Sequence, residues 1–197
     1  MKGSPRRLSA IPLHLAEGFD KIIGIAGFSN VRVKNVDTFL GEVEEKFPGA
    51  IFQFLNAQFV AGPRHLVFAT INALSALKTG VNISRSLAVE CLLYASAQNQ
   101  IKSALEIIGI YPTTSEIALI VVTEDEESAR KLLKGISDMV PGTRDDSALE
   151  LSETKSLQIK DLFGISEVEL STRYEADEKK ALTDLVIEHC ALLVCNR

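Results

Sequence analysis

The sequence contains few of the features that mark secreted or membrane proteins. Its 197 residues include only three cysteines, Cys91, Cys190 and Cys195, and these form no recognisable disulfide framework. No apolar run reaches the roughly 18 residues needed to span a bilayer, and residues 11–16 are too short and interrupted for the core of a secretory signal. We therefore expect a cytoplasmic protein, because disulfides are rare in that compartment.

Common catalytic motifs are also missing. The sequence has no Walker A loop, no complete dinucleotide-binding glycine fingerprint, and no HExxH, CxxC or GxSxG motif. A catalytic pair of Cys91 and His65 would need a reactive thiol, whereas a cysteine inside the apolar segment 87–95 is typical of a small buried hydrophobe. We therefore expect a protein that is not an enzyme and uses no cofactor or metal.

Length and composition indicate one ordinary domain. Hydrophobic residues make up 46% of the chain and charged residues 24%, which is close to the usage of globular proteins. A chain of this length buries a core without disulfides or metals. Residues 1–20 are rich in glycine and proline and show no periodicity, so they are predicted to be a flexible N-terminal arm, followed by a single domain over residues 21–197.

Hydrophobic periodicity predicts both strands and helices. Strands are predicted at residues 21–28, 50–60 and 116–122, with two shorter candidates at residues 148–151 and 166–170. Helices are predicted at residues 35–47, 63–78, 84–95, 98–108, 124–139, 155–163 and 175–194. Three consecutive helices in the middle exclude a strict βαβ alternation. The predicted fold is therefore α/β (α+β), with a small mixed β-sheet flanked by helices.

Charge is distributed unevenly along the chain. The net charge is −5, yet residues 62–105 carry four basic side chains against one acidic side chain, and residues 106–197 carry ten against nineteen. The basic side chains of the middle segment are Arg64, Lys78, Arg85 and Lys102. This basic island is either an ordinary fluctuation of a few charges or the docking place of an anionic ligand.

One part of the sequence is distinctive enough to compare with a known family. It reads NAQFVAGPRH at residues 56–65, NISRSLAVE at residues 82–90 and LYASAQNQI at residues 93–101. This pattern resembles the PRPK-binding (kinase-binding) subunit of the KEOPS complex, in an archaeal-type form. The most diagnostic part is a Ser-x-x-x-Glu helix followed by Ala-Ser-x-Gln-x-Gln-Ile.

The resemblance implies a function in tRNA modification. KEOPS adds a threonylcarbamoyl group to the adenosine next to the anticodon, and another subunit performs the transfer. The subunit that this chain resembles is not a catalyst; it binds the small atypical kinase/ATPase of the complex and helps hold the single-stranded 3′ CCA end of tRNA. Two positions depart from the family pattern, with Ala97 in place of a glycine and Asn99 in place of an arginine.

With the resemblance, the basic island becomes a predicted RNA-binding site. A phosphate is favoured at the first turn of the helix at 63–78, amide side chains at the start of the helix at 98–108 suit base edges, and further cations neutralise backbone phosphates. The predicted RNA-binding residues are Arg64, His65, Arg85, Gln98, Asn99, Gln100 and Lys102. The alternative is that the charges are solvated or ion-paired and that amides cap the helix. Glu90 is expected to pair with Arg64 or another base.

The last predicted helix is apolar almost all the way round. One face can cover the sheet, and a second apolar face on a terminal helix usually marks an interface, for which the resemblance supplies the N-lobe of the kinase. The predicted partner-binding residues are Leu182, Leu185, Val186, Ile187, His189 and Leu193. The alternatives are burial against another helix of the chain and homodimerisation. For the whole protein, the competing interpretation is a homodimeric regulatory domain that binds a small molecule.

Overall fold

Five strands form an antiparallel sheet. The computed structural model describes residues 13–173 and 177–196. Within them the strands are β1 (Leu13–Ala16), β2 (Lys21–Ser29), β3 (Ile51–Asn56), β4 (Ile117–Thr123) and β5 (Thr143–Arg144). Their order is β1-β2-β4-β3, and β5 pairs with the end of β2. The predicted α/β class with flanking helices is confirmed, and every pairing among the described strands is antiparallel where a mixed sheet was expected.

Eight α-helices surround the sheet in the described part of the chain. They are α1 (Val36–Lys46), α2 (Pro63–Thr79), α3 (Leu87–Ser96), α4 (Ile101–Ile108), α5 (Glu126–Ser137), α6 (Glu153–Phe163), α7 (Glu167–Thr172) and α8 (Glu178–Leu192). Short 3-10 turns cover residues 57–59, 146–149 and 193–196. The helices predicted at residues 35–47, 63–78 and 155–163 are thus confirmed to within about two residues at each end.

The central strand β4 has apolar side chains on both faces of the sheet. Ala118 and Ile120 pack in the cluster formed with α2, α3 and α4, while Leu119 and Val121 pack in the cluster formed with α1 and α5. Successive side chains of a strand point to opposite faces, so a strand covered on both sides needs apolar residues at every position. This explains why β4 reads as one continuous apolar run.

Helices α6, α7 and α8 build a third apolar cluster next to α2. Ala61, which lies just before α2, belongs to this cluster, and the Thr183 hydroxyl of α8 donates a hydrogen bond to the Ala61 carbonyl at 3.0 Å. Helix α8 therefore covers α2 and α3 and lies outside the helical layer of the sheet. The cluster's larger buried members are Leu151, Ile159, Phe163, Ile165, Leu170, Leu182, Leu185 and Val186.

The predicted edge strand at residues 166–170 is wrong, because this segment forms α7. The Ser166 hydroxyl accepts the Glu169 N–H at 3.2 Å, and the Glu169 carboxylate accepts the Ser166 N–H at 2.7 Å. This reciprocal capping box satisfies two N–H groups at the helix start. The helix forms although the side chains alternate as in a strand.

Three further sequence predictions are corrected. The N-terminal arm does not extend to residue 20, because residues 13–16 form β1 against β2; residues 1–12 lie outside the described residues. The strand candidate at residues 148–151 is largely a 3-10 turn, and the short strand β5 comes before it. Helix α4 begins at Ile101, three residues later than predicted.

Helix α3 ends in a left-handed residue that is not glycine. Ala97 has φ 51° and ψ 33°, its N–H donates to the Tyr94 carbonyl, and the Gln98 N–H donates to the Leu93 carbonyl at 3.0 Å. This pair of bonds is a Schellman motif, which strongly favours glycine at the left-handed position. The Cβ of Ala97 costs about 1–2 kcal/mol in that conformation.

We predict that Ala97→Gly raises the free energy of unfolding by about 0.5–1 kcal/mol. The relief of left-handed strain exceeds the about 0.4–1 kcal/mol that the more flexible glycine adds to the unfolded state. Urea denaturation measures the difference. The comparison variant is Ala104→Gly in the middle of α4, which should lower stability by at least about 1 kcal/mol, because it loses helix propensity and also a buried methyl group. An equal loss in both variants would show that position 97 carries no strain.

Candidate functional site

The predicted RNA-binding residues lie at two ends of the α2–α3 pair. His65, in the first turn of α2, bonds to Ala95 near the end of α3, whereas residues 80–86 connect the opposite ends. Helix α3 has ten residues, which corresponds to about 14 Å of helix. Arg85 is therefore remote from Arg64 and from residues 98–100, which share one end.

His65 is fully buried and cannot contact RNA. Its Nδ1 accepts the Ala61 N–H at 3.1 Å, and its Nε2–H donates to the Ala95 carbonyl at 3.0 Å. The ring meets Phe163 edge-on, with centroids 6.0 Å apart. Burial lowers the pKa of His65 to about 4, so the ring is neutral at pH 7. The prediction of an RNA contact is wrong here, and the residue instead joins α2 to α3 and α6.

The buried cysteines have the properties of packing residues. Burial raises the pKa of the Cys91 thiol to about 12, and the two ring nitrogens of His65 bond to Ala61 and Ala95. Cys190 of α8 lies 3.4 Å from His65 Nε2, but that nitrogen has its proton directed to Ala95 and is no base for the thiol. Burial also raises the pKa of Cys190. Neither thiol is placed for nucleophilic chemistry.

Arg64, one partner that the sequence analysis offered for Glu90, pairs with Asp184 instead, and a pair between Glu90 and another base stays a prediction. The buried carboxylate of Glu90 accepts the N–H groups of Ile83 and Ser84 at 2.6 and 2.5 Å. Ser86, two residues later than predicted, caps α3. The Ser-x-x-x-Glu pattern therefore has a structural reason: the serine begins the helix, and the glutamate holds the loop that precedes it.

Arg64 lies at the surface, where it contacts α8. Its Nη1 donates to the Asp184 carboxylate at 2.7 Å, and its guanidinium lies 5.9 Å from the centroid of the Phe68 ring. The Arg64 side chain remains 53% exposed. Arg64 lies in the first turn of α2, where the backbone N–H groups also favour anions.

The amide side chains lie in the turn between α3 and α4. Asn99 and Gln100 are exposed, and Gln98 is half-buried with its amide directed at the Ser96 carbonyl, 3.4 Å away. Gln100 occupies the N-cap position of α4 but makes no side-chain cap bond. Lys102 is 88% exposed beside Glu106. These polar groups are therefore accessible at the same end as Arg64.

A cavity of about 470 Å³ opens between the first turns of α2 and α8. Gly62, the N-cap of α2, has φ 92° and supplies no side-chain cap. Asp177 caps α8 by accepting from the Lys179 and Lys180 N–H groups. The cavity is lined by Ala61, Gly62, Pro63, Arg64, Glu150, Leu151, Asp177, Lys179, Lys180 and Thr183. Lys179 and Lys180 were missed by the sequence analysis because they lie in the acidic last third of the chain.

Most of the predicted partner-binding residues are in the core of the chain. Leu182, Leu185 and Val186 belong to the cluster of α6, α7 and α8. Leu193 packs in the cluster that the sheet forms with α2, α3 and α4. A partner cannot contact these side chains directly, so their prediction is wrong. The alternative of burial against other helices of the chain accounts for them.

The exposed apolar residues of the last helix lie near its end. Leu192 and Val194 are 55% and 43% exposed, Ala191 is exposed and Ile187 is half-buried. Ile187, Ala191 and Val194 follow each other at helical spacing, so they share a face. Leu192 lies about 100° round the helix from Ala191, and we call these four residues the terminal apolar surface. His189 is half-buried against Phe163, with ring centroids 6.4 Å apart.

Residues 13–173 and 177–196 contain neither a membrane-spanning helix nor a metal-binding cluster. No helix there has both the length and the apolar character needed to cross a bilayer. No group of three or more histidine, cysteine or acidic side chains there is arranged to hold a metal ion.

The buried His65 predicts a loss of stability in acid. The unfolded chain binds a proton at this residue with a pKa near 6.5 and the folded chain with a pKa of about 4, so the unfolded state binds more protons between these values. The free energy of unfolding should therefore fall by about 2–3 kcal/mol between pH 7 and about pH 4.5 from this group alone. Urea denaturation of the protein and of His65→Gln measures it: the variant should be less stable at pH 7 but lose less on acidification. Equal losses would contradict the assignment.

Comparison with known proteins supports the resemblance seen in the sequence. A family model described as Kinase binding protein CGI-121 matches residues 28–193. Regulatory protein Cgi121 of Methanocaldococcus jannaschii is 37% identical over 117 residues, which are 59% of this chain and 72% of that protein. The family match extends from β2 to the end of α8 and so includes the cavity and most of the terminal apolar surface. The chain therefore belongs to the CGI-121 family of kinase binding proteins.

Proposed function

We propose that this protein is a non-catalytic, cytoplasmic subunit of KEOPS that binds the small kinase/ATPase of the complex and the 3′ CCA end of tRNA. The observation that carries this proposal is the position of α8. Its first turn lines a cavity whose walls include the cations Arg64, Lys179 and Lys180, and its last turns expose apolar side chains. One helix thus contributes to two surfaces of different chemistry, as expected for an adaptor with two partners.

The kinase docks on the terminal apolar surface in this proposal. Three exposed apolar residues and one half-buried one near the end of a helix favour a protein partner, and the family's name supplies a kinase. The proposed binding residues are therefore the exposed Ala191, Leu192 and Val194 together with the half-buried Ile187. Of the residues predicted from sequence, only Ile187 belongs to this surface.

The CCA end binds at the cavity between α2 and α8. Arg64, Lys179 and Lys180 supply positive charge for its phosphates, and the first turn of α2 adds backbone N–H groups. The amides of Asn99 and Gln100 lie at the same end of the α2–α3 pair and suit the edges of unstacked bases. Asn99 lacks the charge of the arginine usual in the family, so the phosphate contacts are correspondingly fewer.

The competing function is a homodimeric regulatory domain that binds a small molecule. A pocket between a helix and the sheet would be its sign, and one of about 410 Å³ lies between α1, α3 and β3. The cavity that we assign to RNA lies between two helix starts and is lined by Arg64, Lys179 and Lys180 together with two acids. Charged walls of this kind favour an anionic, solvated ligand over an apolar one.

We predict that Leu192→Arg weakens binding to the cognate kinase by at least about tenfold, because a charge buried within an apolar interface remains unpaired. Isothermal titration with the purified kinase measures the affinity. The matched control is Leu15→Arg on β1, which is also exposed, at 61%, but lies on the sheet edge. Unchanged affinity in a folded Leu192→Arg variant would contradict the docking surface.

Leu185→Arg is not a suitable test of the same surface. Leu185 is 6% exposed in the cluster of α6, α7 and α8, so the variant would lose kinase binding because it unfolds.

The molecular mass measured by size exclusion, with and without the kinase, separates the two candidate functions. A stable dimer that shows no mass increase with the kinase would favour the homodimer.

We predict that labelled tRNA binds this protein with an affinity that falls with salt and that needs an intact CCA end. Arg64→Gln should weaken binding about five- to tenfold and lower the salt slope by about one. Fluorescence anisotropy with intact and CCA-less tRNA measures both quantities. Arg130→Gln is the matched control, because Arg130 is also about half exposed and pairs with Glu126, but lies on α5 across the sheet. Equal binding of the two tRNAs would contradict the CCA assignment.

A further inference from the structure

The ion pair between Arg64 and Asp184 connects the proposed RNA cavity to α8. Arg64 uses one donor, Nη1, at 2.7 Å from Asp184 Oδ1. The aspartate side chain is only 22% exposed, against 53% for the arginine. Asp184 therefore holds the guanidinium from its less exposed side, and Arg64 itself lines the cavity. Phe68 packs against the same guanidinium, so the arginine is restrained by both residues.

A carboxylate in this position competes with an RNA phosphate. Both anions favour the planar fork of the guanidinium, which donates two parallel N–H bonds to one anion. While Nη1 donates to Asp184, it cannot take part in a two-bond contact with a phosphate. Such a contact forms only after the Asp184 carboxylate leaves Nη1. The negative charge of Asp184 also cancels the positive charge of Arg64, and RNA affinity depends steeply on the number of effective cations.

We propose that Asp184 attenuates RNA binding by occupying Arg64 in the free protein. This inference rests on the proposed binding of tRNA at the cavity, and it adds a regulating residue to that site. RNA binding then includes an exchange in which a phosphate replaces the Asp184 carboxylate on Arg64. Asp184 belongs to α8, the helix whose end carries the terminal apolar surface.

The test is a double-mutant cycle with labelled tRNA at about 0.1 M salt. Asp184→Asn should bind tRNA about three- to tenfold more tightly than the unmodified protein, because one more cation is effective. In the Arg64→Gln background the same substitution should bring no gain, since the residue that it releases is absent. Glu188→Gln, which removes one acid from the same helix and breaks its ion pair with Arg173, is the control for net charge. Circular dichroism melting shows that each variant is folded.

Each outcome decides between attenuation and its competitors. An equal gain with and without Arg64, or an equal gain in Glu188→Gln, would overturn the exchange and leave a general charge effect. Weaker binding by Asp184→Asn and Asp184→Ala would show that the carboxylate positions Arg64 for RNA. If tRNA binding depends on the CCA end but is unchanged in Asp184→Asn, the attenuation is contradicted while the proposed RNA function stands. If neither the protein nor Asp184→Asn binds tRNA while kinase binding persists, the proposed RNA function fails as well.

Discussion

A single neutral imidazole connects the elements on which the candidate site depends. His65 accepts a backbone bond from Ala61, donates one to Ala95, and packs against Phe163 and Cys190. Buried polar groups are stable only when each is bonded, so this ring requires the start of α2, the end of α3, α6 and α8 to meet at one place. The cavity and the polar turn at residues 98–100 adjoin the same point, and their geometry follows from it.

The sheet and the long helices could be predicted from the sequence because local signals agreed with tertiary packing there. The run of β4 matches burial on both faces, and Pro63 and Gly80 mark the ends of α2. The prediction of a strand at residues 166–170 was wrong because alternation was given more weight than the Ser166–Glu169 cap. Whether the strands pair in parallel or antiparallel could not be predicted from the sequence, since it depends on contacts between strands that lie far apart in the chain.

The candidate site was only partly predictable. Arg64 and the amides at residues 98–100 were found because the family resemblance pointed to them, but the site also contains Lys179 and Lys180, which sequence position separates from Arg64 by more than a hundred residues. The error at His65 has a simple physical cause. An imidazole in the first helical turn suits both an anion and a buried backbone bond, and only the packing of α6 and α8 over it decides between the two.

Helix α8 shows why an apolar pattern cannot locate an interface without the rest of the fold. The leucines at 182 and 185 look as suitable for a partner as Leu192, yet α6, α7 and α2 cover the first two and leave the third in water. The same covering places Asp184 against Arg64 and the first turn of α8 beside the cavity. One helix therefore contributes both the carboxylate that holds Arg64 and the exposed apolar end, so the surfaces that we propose for RNA and for the kinase share one element of the fold.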